Sequence, residues 1–247
     1  MKQPLALAGI LAVLADPRTV PDLRRYYLST DEKAFTGGQF ERLGGGGDSS
    51  ATANEYTADD LIAVELLSVS IPPRRVLDLL QGQLGREVAA QLTEIPVDVE
   101  LGSDAASPLI ADGGPADRAW RMLDHATGLG WVTAGKLLAR KRPKLMPVYD
   151  GVVSCALGTG SGFWKWLHGI LREDDCVVAQ QLDARRREAD LPAAISRLRI
   201  LDVAVWMRHR NDHRDAACPS LRLPGSSEDH NDKRRQSKDH RSAMGSR

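Results

Sequence analysis

Residues 127–150 read TGLGWVTAGKLLARKRPKLMPVYD. Two glycines flank Leu129, a run of helix formers follows, and five cations fall between Lys136 and Lys144 with no acid among them. A lone acid, Asp150, closes the stretch. The pattern predicts a helix ending at Thr127, a Gly128-Leu129-Gly130 reversal and a second helix starting near Trp131. That is a helix–hairpin–helix. Glycines let the chain reverse quickly and leave the backbone amides unshielded. Those amides and the positive end of the second helix make an anion site, to which Thr133 adds a hydroxyl. Lys136, Arg140, Lys141 and Arg142 supply the charge that a phosphodiester backbone attracts. Spacing alone fits a second reading equally well: the glycines cap a helix, and the cations compensate its dipole on a solvated face.

The same residues resemble the hairpin and following aspartate of the base-excision DNA glycosylase superfamily, of the endonuclease III and MutY type. In that family a G-x-G-x-x-T-A hairpin precedes a catalytic aspartate at a fixed distance. Gly128, Gly130, Thr133 and Ala134 match the hairpin, and Asp150 falls where that distance puts the acid. The match covers about residues 126–153. Val132 stands where the glycosylase–lyases carry a Schiff-base lysine, which excludes lyase chemistry through that position. Thr127 replaces the usual proline, Gly151 and Val152 replace a frequent Thr-His, and the iron–sulfur cysteines of many members are absent. The whole chain also resembles actinobacterial proteins that share the phrases FERLGGGG and ARKRPKLMPVYD, which implies no activity.

The glycosylase resemblance implies hydrolysis of an N-glycosidic bond with Asp150 as the catalytic residue. A carboxylate near C1′ stabilises an oxocarbenium-like transition state and orients or deprotonates water. The target base must leave the stack and enter a pocket between aromatic or apolar walls. Trp120, Trp131, Tyr149, Phe163, Trp164 and Trp166 are the candidate walls. Asp150 also reads as the N-cap of a helix over residues 151–157, a role that needs no catalysis.

Outward from this stretch, the chain is ordinary for a soluble globular protein, with 42% hydrophobic and 27% charged residues among 247. That excludes collagen-like, disulfide-scaffold and multi-span membrane classes. The zero net charge hides an asymmetry. Residues 1–112 hold 9 Lys/Arg against 17 Asp/Glu, while residues 113–210 hold 16 against 10. Either the basic half presents a face to phosphate, or the two halves attract one another. Cys155, Cys176 and Cys218 are too scattered for a disulfide framework or a four-thiolate metal site, so no metal and no cofactor are expected. A reducing, cytoplasmic location follows. The apolar run after Lys2 looks like a signal-peptide core, but its positive region is one lysine and ordinary domain sequence continues behind it. No stretch is long enough to span a membrane.

The fold class expected is mainly α: an acidic helical region over 1–112, a basic helical region with the hairpin over 113–210, and a disordered tail over 211–247. Helices are predicted over 5–15, from Thr57, on either side of Gly82 and Gly85, from Pro115, and over 162–172, 176–188 and 191–208. Residues 97–101 fit a short strand. Residues 35–56 read as a loop, and Gly44 to Gly47 lack the Lys-Ser/Thr pair that a phosphate loop needs. Three of the six histidines lie beyond Arg210 and are assigned no chemistry. The function expected is a DNA-binding protein that contacts duplex backbone without sequence preference, in DNA repair. The alternatives are an active monofunctional DNA glycosylase using Asp150 and a protein-interaction module on the same scaffold.

Overall fold

The computed structural model describes residues 5–32, 34–160 and 162–213, and among these every regular element is a helix. Helix α1 (Leu7–Ala15) ends before Asp16-Pro17, since proline has no amide to continue the ladder, and α2 (Thr19–Leu28) follows. The loop beyond contains two 3-10 turns, Thr36–Gln39 and Leu43–Gly45. Helix α3 (Ala58–Glu65) starts at Thr57 with a capping box. The Thr57 hydroxyl accepts the Asp60 amide, and the Asp60 carboxylate accepts the Thr57 amide. Gly82 separates α4 (Pro73–Gln81) from α5 (Gln83–Thr93). Then come α6 (Ala106–Leu109), α7 (Pro115–Asp124), α8 (Gly130–Lys141), α9 (Gly151–Leu157), α10 (Phe163–Arg172), α11 (Val177–Glu188) and α12 (Arg197–His209).

Two helices are central. From Thr133 onward every residue of α8 is buried, and α12 is buried over most of its circumference. A helix buried all round belongs to the core. Helix α8 packs on α3 and α7, while α12 packs on α2, α9 and α11. One hydrophobic cluster runs from Ile10 to Met207, so the change of charge sign near residue 112 marks no break in packing. Ion pairs join the two halves: Glu41 with Arg199, Asp60 with Arg140, Glu94 with Arg118 and Asp16 with Arg208. Attraction between the halves is therefore realised inside the molecule.

Three expectations change. Residues 97–101 form turns rather than a strand, because no second strand lies beside them among the described residues; the Leu101 amide makes one bond, to the Lys144 carbonyl at 3.0 Å. The last helix starts at Arg197 instead of Leu191. Ser196 caps it by accepting the Arg199 amide at 3.3 Å, and a turn from Pro192 to Ile195 precedes it. The tail boundary also moves: the amides of Asp212 and His213 still bond to the His209 carbonyl. The rest of the predicted tail, 214–247, lies outside the described residues.

Candidate functional site

Helices α7 and α8 pack against one another across a short turn. Gly128 (φ +91°) and Gly130 (φ +68°) both adopt the left-handed backbone that glycine permits. A Cβ on Gly128 would come within 2.9 Å of the Pro72 ring, whereas one on Gly130 would meet open space. Leu129 between them is buried, as is Thr133.

The four cations assigned to phosphate do not face solvent. Lys136, Arg140, Lys141 and Arg142 are all buried. Arg140 donates to Asp60 Oδ1 at 2.8 Å and to the carbonyls of Phe40 and Leu43. Lys141 donates to Asp60 Oδ2 at 2.6 Å and to the Thr52 carbonyl at 2.9 Å. Arg142 donates to the carbonyls of Leu92, Ala53 and Ile95 and to the Asn54 side chain. A buried charge is costly unless it is paired or well hydrogen-bonded: Arg140 and Lys141 share the Asp60 carboxylate, whereas the Arg142 guanidinium is held by neutral acceptors. The three side chains pin the 35–56 loop onto the end of α8. Burial lowers Arg142 to about 10, opposed by Tyr56 and Asp48, and lowers Lys141 against the pull of Asp60. The glycine run is part of the same packing, since a Cβ on Gly47 would sit 2.3 Å from the Arg140 carbonyl.

Asp150 caps α9, its Oδ1 accepting the Val153 amide at 3.0 Å. Residues 147–150 carry no helix and Asp150 is extended, so successive side chains point to opposite sides. Val148 and Asp150 line one cavity; Pro147 and Tyr149 line another.

The Asp150 cavity, of ≈ 120 Å³, has Tyr26, Phe35, Lys136, Arg199, Asp202 and Trp206 in its lining. Tyr26 and Phe35 stack at 5.3 Å, and Trp206 meets Phe35 edge-on at 5.8 Å. At about 150 Å³ a cavity takes a benzene ring, so one small planar group is the scale of this space. Lys136 donates to the Leu67 carbonyl at 2.7 Å, and burial lowers its ammonium to about 8 while the Asp150 charge opposes the shift. Lys136 is thus a cavity residue. Val132 lies one turn before it on α8. The exposed Arg25 stands 5.7 Å from the centroid of the Phe35 ring, and the half-buried Arg210 stands 4.9 Å from it.

The second cavity, of ≈ 470 Å³, is lined by Trp120, Trp131, Tyr149, Phe163 and Trp164. Tyr149 and Phe163 stack at 3.8 Å, and the Tyr149 hydroxyl is held by Ser154 and Thr159. Five of the six aromatics expected around a base therefore gather, but on the other side of the chain from Asp150. Trp166 lies against Phe163 outside this lining. Sequence reasoning missed Tyr26, Phe35 and Trp206 as neighbours of Asp150, because they arrive from α2, the following loop and α12. It also assigned no metal ligand, whereas the ligand atoms of Cys155, His209 and His213 lie within 4.8 Å of one another. The H-x-x-x-H spacing at the end of α12 was the signal for that group.

One protein family, a family of unknown function (DUF6308), matches residues 19–209. No curated protein and no solved structure matches the chain.

Proposed function

The chain belongs to the DUF6308 family, and for it we propose hydrolysis of the N-glycosidic bond of a nucleobase in DNA, with Asp150 as the acting carboxylate. The observation that carries this reading is the shared cavity: Asp150 with three aromatic rings, Tyr26, Phe35 and Trp206. Aromatic faces hold an extruded base by stacking. The Val153 amide fixes Oδ1 and so orients the carboxylate, leaving Oδ2 for the sugar. As the glycosidic bond lengthens, positive charge grows on the sugar ring, and an oriented carboxylate stabilises it without reorganising. The same oxygen can accept a proton from the attacking water.

The hairpin reading supports the same function through a different set of contacts. The left-handed turn at Gly130 is exposed, and it lies at the start of α8, where a helix end favours an anion. Arg25 and Arg210, both beside the Phe35 ring, take the phosphate role that the four buried cations do not fill.

The test is base release from duplexes carrying deaminated, oxidised, alkylated or mismatched bases, revealed by alkaline scission. Wild-type protein should release at least one of these bases. Asp150→Asn, which keeps the cap, should bind the same duplex and lose base release by orders of magnitude. An intact panel, or equal release by the variant, overturns the reading.

A further inference from the structure

We propose that Cys155, His209 and His213 bind a divalent transition metal of the zinc class, stapling α9 to the end of α12. The three ligand atoms, Sγ and one nitrogen from each imidazole, lie within 4.8 Å of one another. Ligands about 2.0–2.3 Å from a tetrahedral zinc stand under about 4 Å apart, so a small side-chain adjustment closes the set. The positions are built for it. His209 is 1% exposed in the last turn of α12, and His213 follows four residues later with its amide bonded to the His209 carbonyl at 2.9 Å. Residues spaced by four share one helix face, and the two rings stand 5.8 Å apart. Cys155 comes from α9, which packs on α12. Thiolate plus imidazole is a donor set that suits zinc and disfavours magnesium or calcium.

Cys155 is in a disulfide in the structure, so the site belongs to the reduced protein. Two equivalents of a cellular thiol reduce the S–S bond, becoming a disulfide themselves and leaving two protein thiols. Binding of the metal then displaces the Cys155 thiol proton to solvent and forms the metal–sulfur bond. At Cys155, disulfide and metal binding exclude one another. The metal would hold in register the two helices that frame the Asp150 cavity: α9, capped by Asp150, and α12, which contributes Arg199, Asp202 and Trp206.

The experiment uses the full chain, reduced, freed of metal with a chelator and desalted. Zinc is then added, excess removed, and metal per chain measured; cobalt(II) replaces zinc for spectroscopy. One equivalent of zinc should be retained, and cobalt should give a thiolate charge-transfer band with the intense visible bands of tetrahedral coordination. Cys155→Ser should lose the charge-transfer band. His213→Ala, at a half-exposed position that need not disturb folding, should weaken zinc binding at least tenfold. Zinc should raise the melting temperature of the wild type and not that of either variant. Reduced wild-type protein that retains no stoichiometric zinc overturns the proposal, and so does a cobalt spectrum unchanged in Cys155→Ser and His213→Ala.

Discussion

Arg140 Nε donates to Asp60 Oδ1 at 2.8 Å, joining two helices through residues 80 apart in the chain, with both side chains buried. Lys141 completes the pair at Oδ2 of the same carboxylate. One acid therefore balances two buried cations. Asp60→Asn should destabilise the fold by about 3–5 kcal/mol, because it leaves both cations without a counter-charge. Urea unfolding checks this, as a lower midpoint at unchanged slope. Charge reversal at Arg140 and Arg142 should likewise abolish folding. An Asp60→Asn protein as stable as the wild type would remove this network from the account of the fold.

Gly47 allows the loop to approach α8. Its absent Cβ would lie 2.3 Å from the Arg140 carbonyl, a backbone atom that cannot swing aside. Gly47→Ala should lower stability by about 1–3 kcal/mol, as overpacking does. Gly160→Ala, in open space, is the control and should stay within about 0.5 kcal/mol of the wild type. Thermal melts of the two variants side by side decide the matter.

Burial lowers the Lys136 ammonium to about 8, while an unfolded lysine titrates near ~10.4. Between those values the unfolded chain holds a proton that the folded chain lacks, so raising the pH favours folding. The Lys136 contribution to stability should therefore rise from about pH 8 and level off near ~10.4. In Lys136→Met that increment should be missing, even though the Leu67 carbonyl loses its donor in the variant. The difference between the two pH profiles of unfolding free energy isolates Lys136 from the other groups that titrate there. Superimposable profiles would place the ammonium in solvent.

Trp206 and Trp131 separate the two cavities. Trp206 lines the Asp150 cavity, and Trp131, 43% exposed, lines the aromatic cleft. Base–aromatic stacking is worth ~1–3 kcal/mol, so Trp206→Ala should raise KM for a base-releasing reaction by roughly 5- to 150-fold. Trp131→Ala should leave it within about twofold, with no stacking contact to lose. Steady-state kinetics on one duplex give both numbers. The opposite ranking would move the base into the aromatic cleft.

Much of the helical framework was legible in the sequence, for a local reason. Thr57 and Asp150 satisfy amides three residues ahead of them, Pro17 stops α1, and Gly82 divides α4 from α5. Each signal acts within one turn of helix, so the chain alone determines it. The left-handed turn at Gly128 and Gly130 belongs to the same class. The last helix was misplaced because its cap, Ser196, competes with an apolar run that starts earlier.

What the cations do was decided only by the tertiary structure. In sequence, Lys136, Arg140, Lys141 and Arg142 look like a solvated helix end. Their burial depends on Asp60, on carbonyls of a loop some 90 residues earlier, on the end of α5 and, for Lys136, on the Leu67 carbonyl. The acidic half supplies the counter-charge, so neutrality of the whole chain was the sequence's trace of an internal pairing. Tyr149 was a candidate wall for the base pocket served by Asp150, yet an extended backbone sends the two neighbours to different cavities. The walls of the Asp150 cavity come from α2, the loop after it and α12, and Cys155 meets His209 and His213 only because α9 packs on α12. Caps and turns depend on neighbours within four residues, which the sequence determines. Burial, pairing and the grouping of a site depend on which distant segments arrive, and only the packed fold decides that.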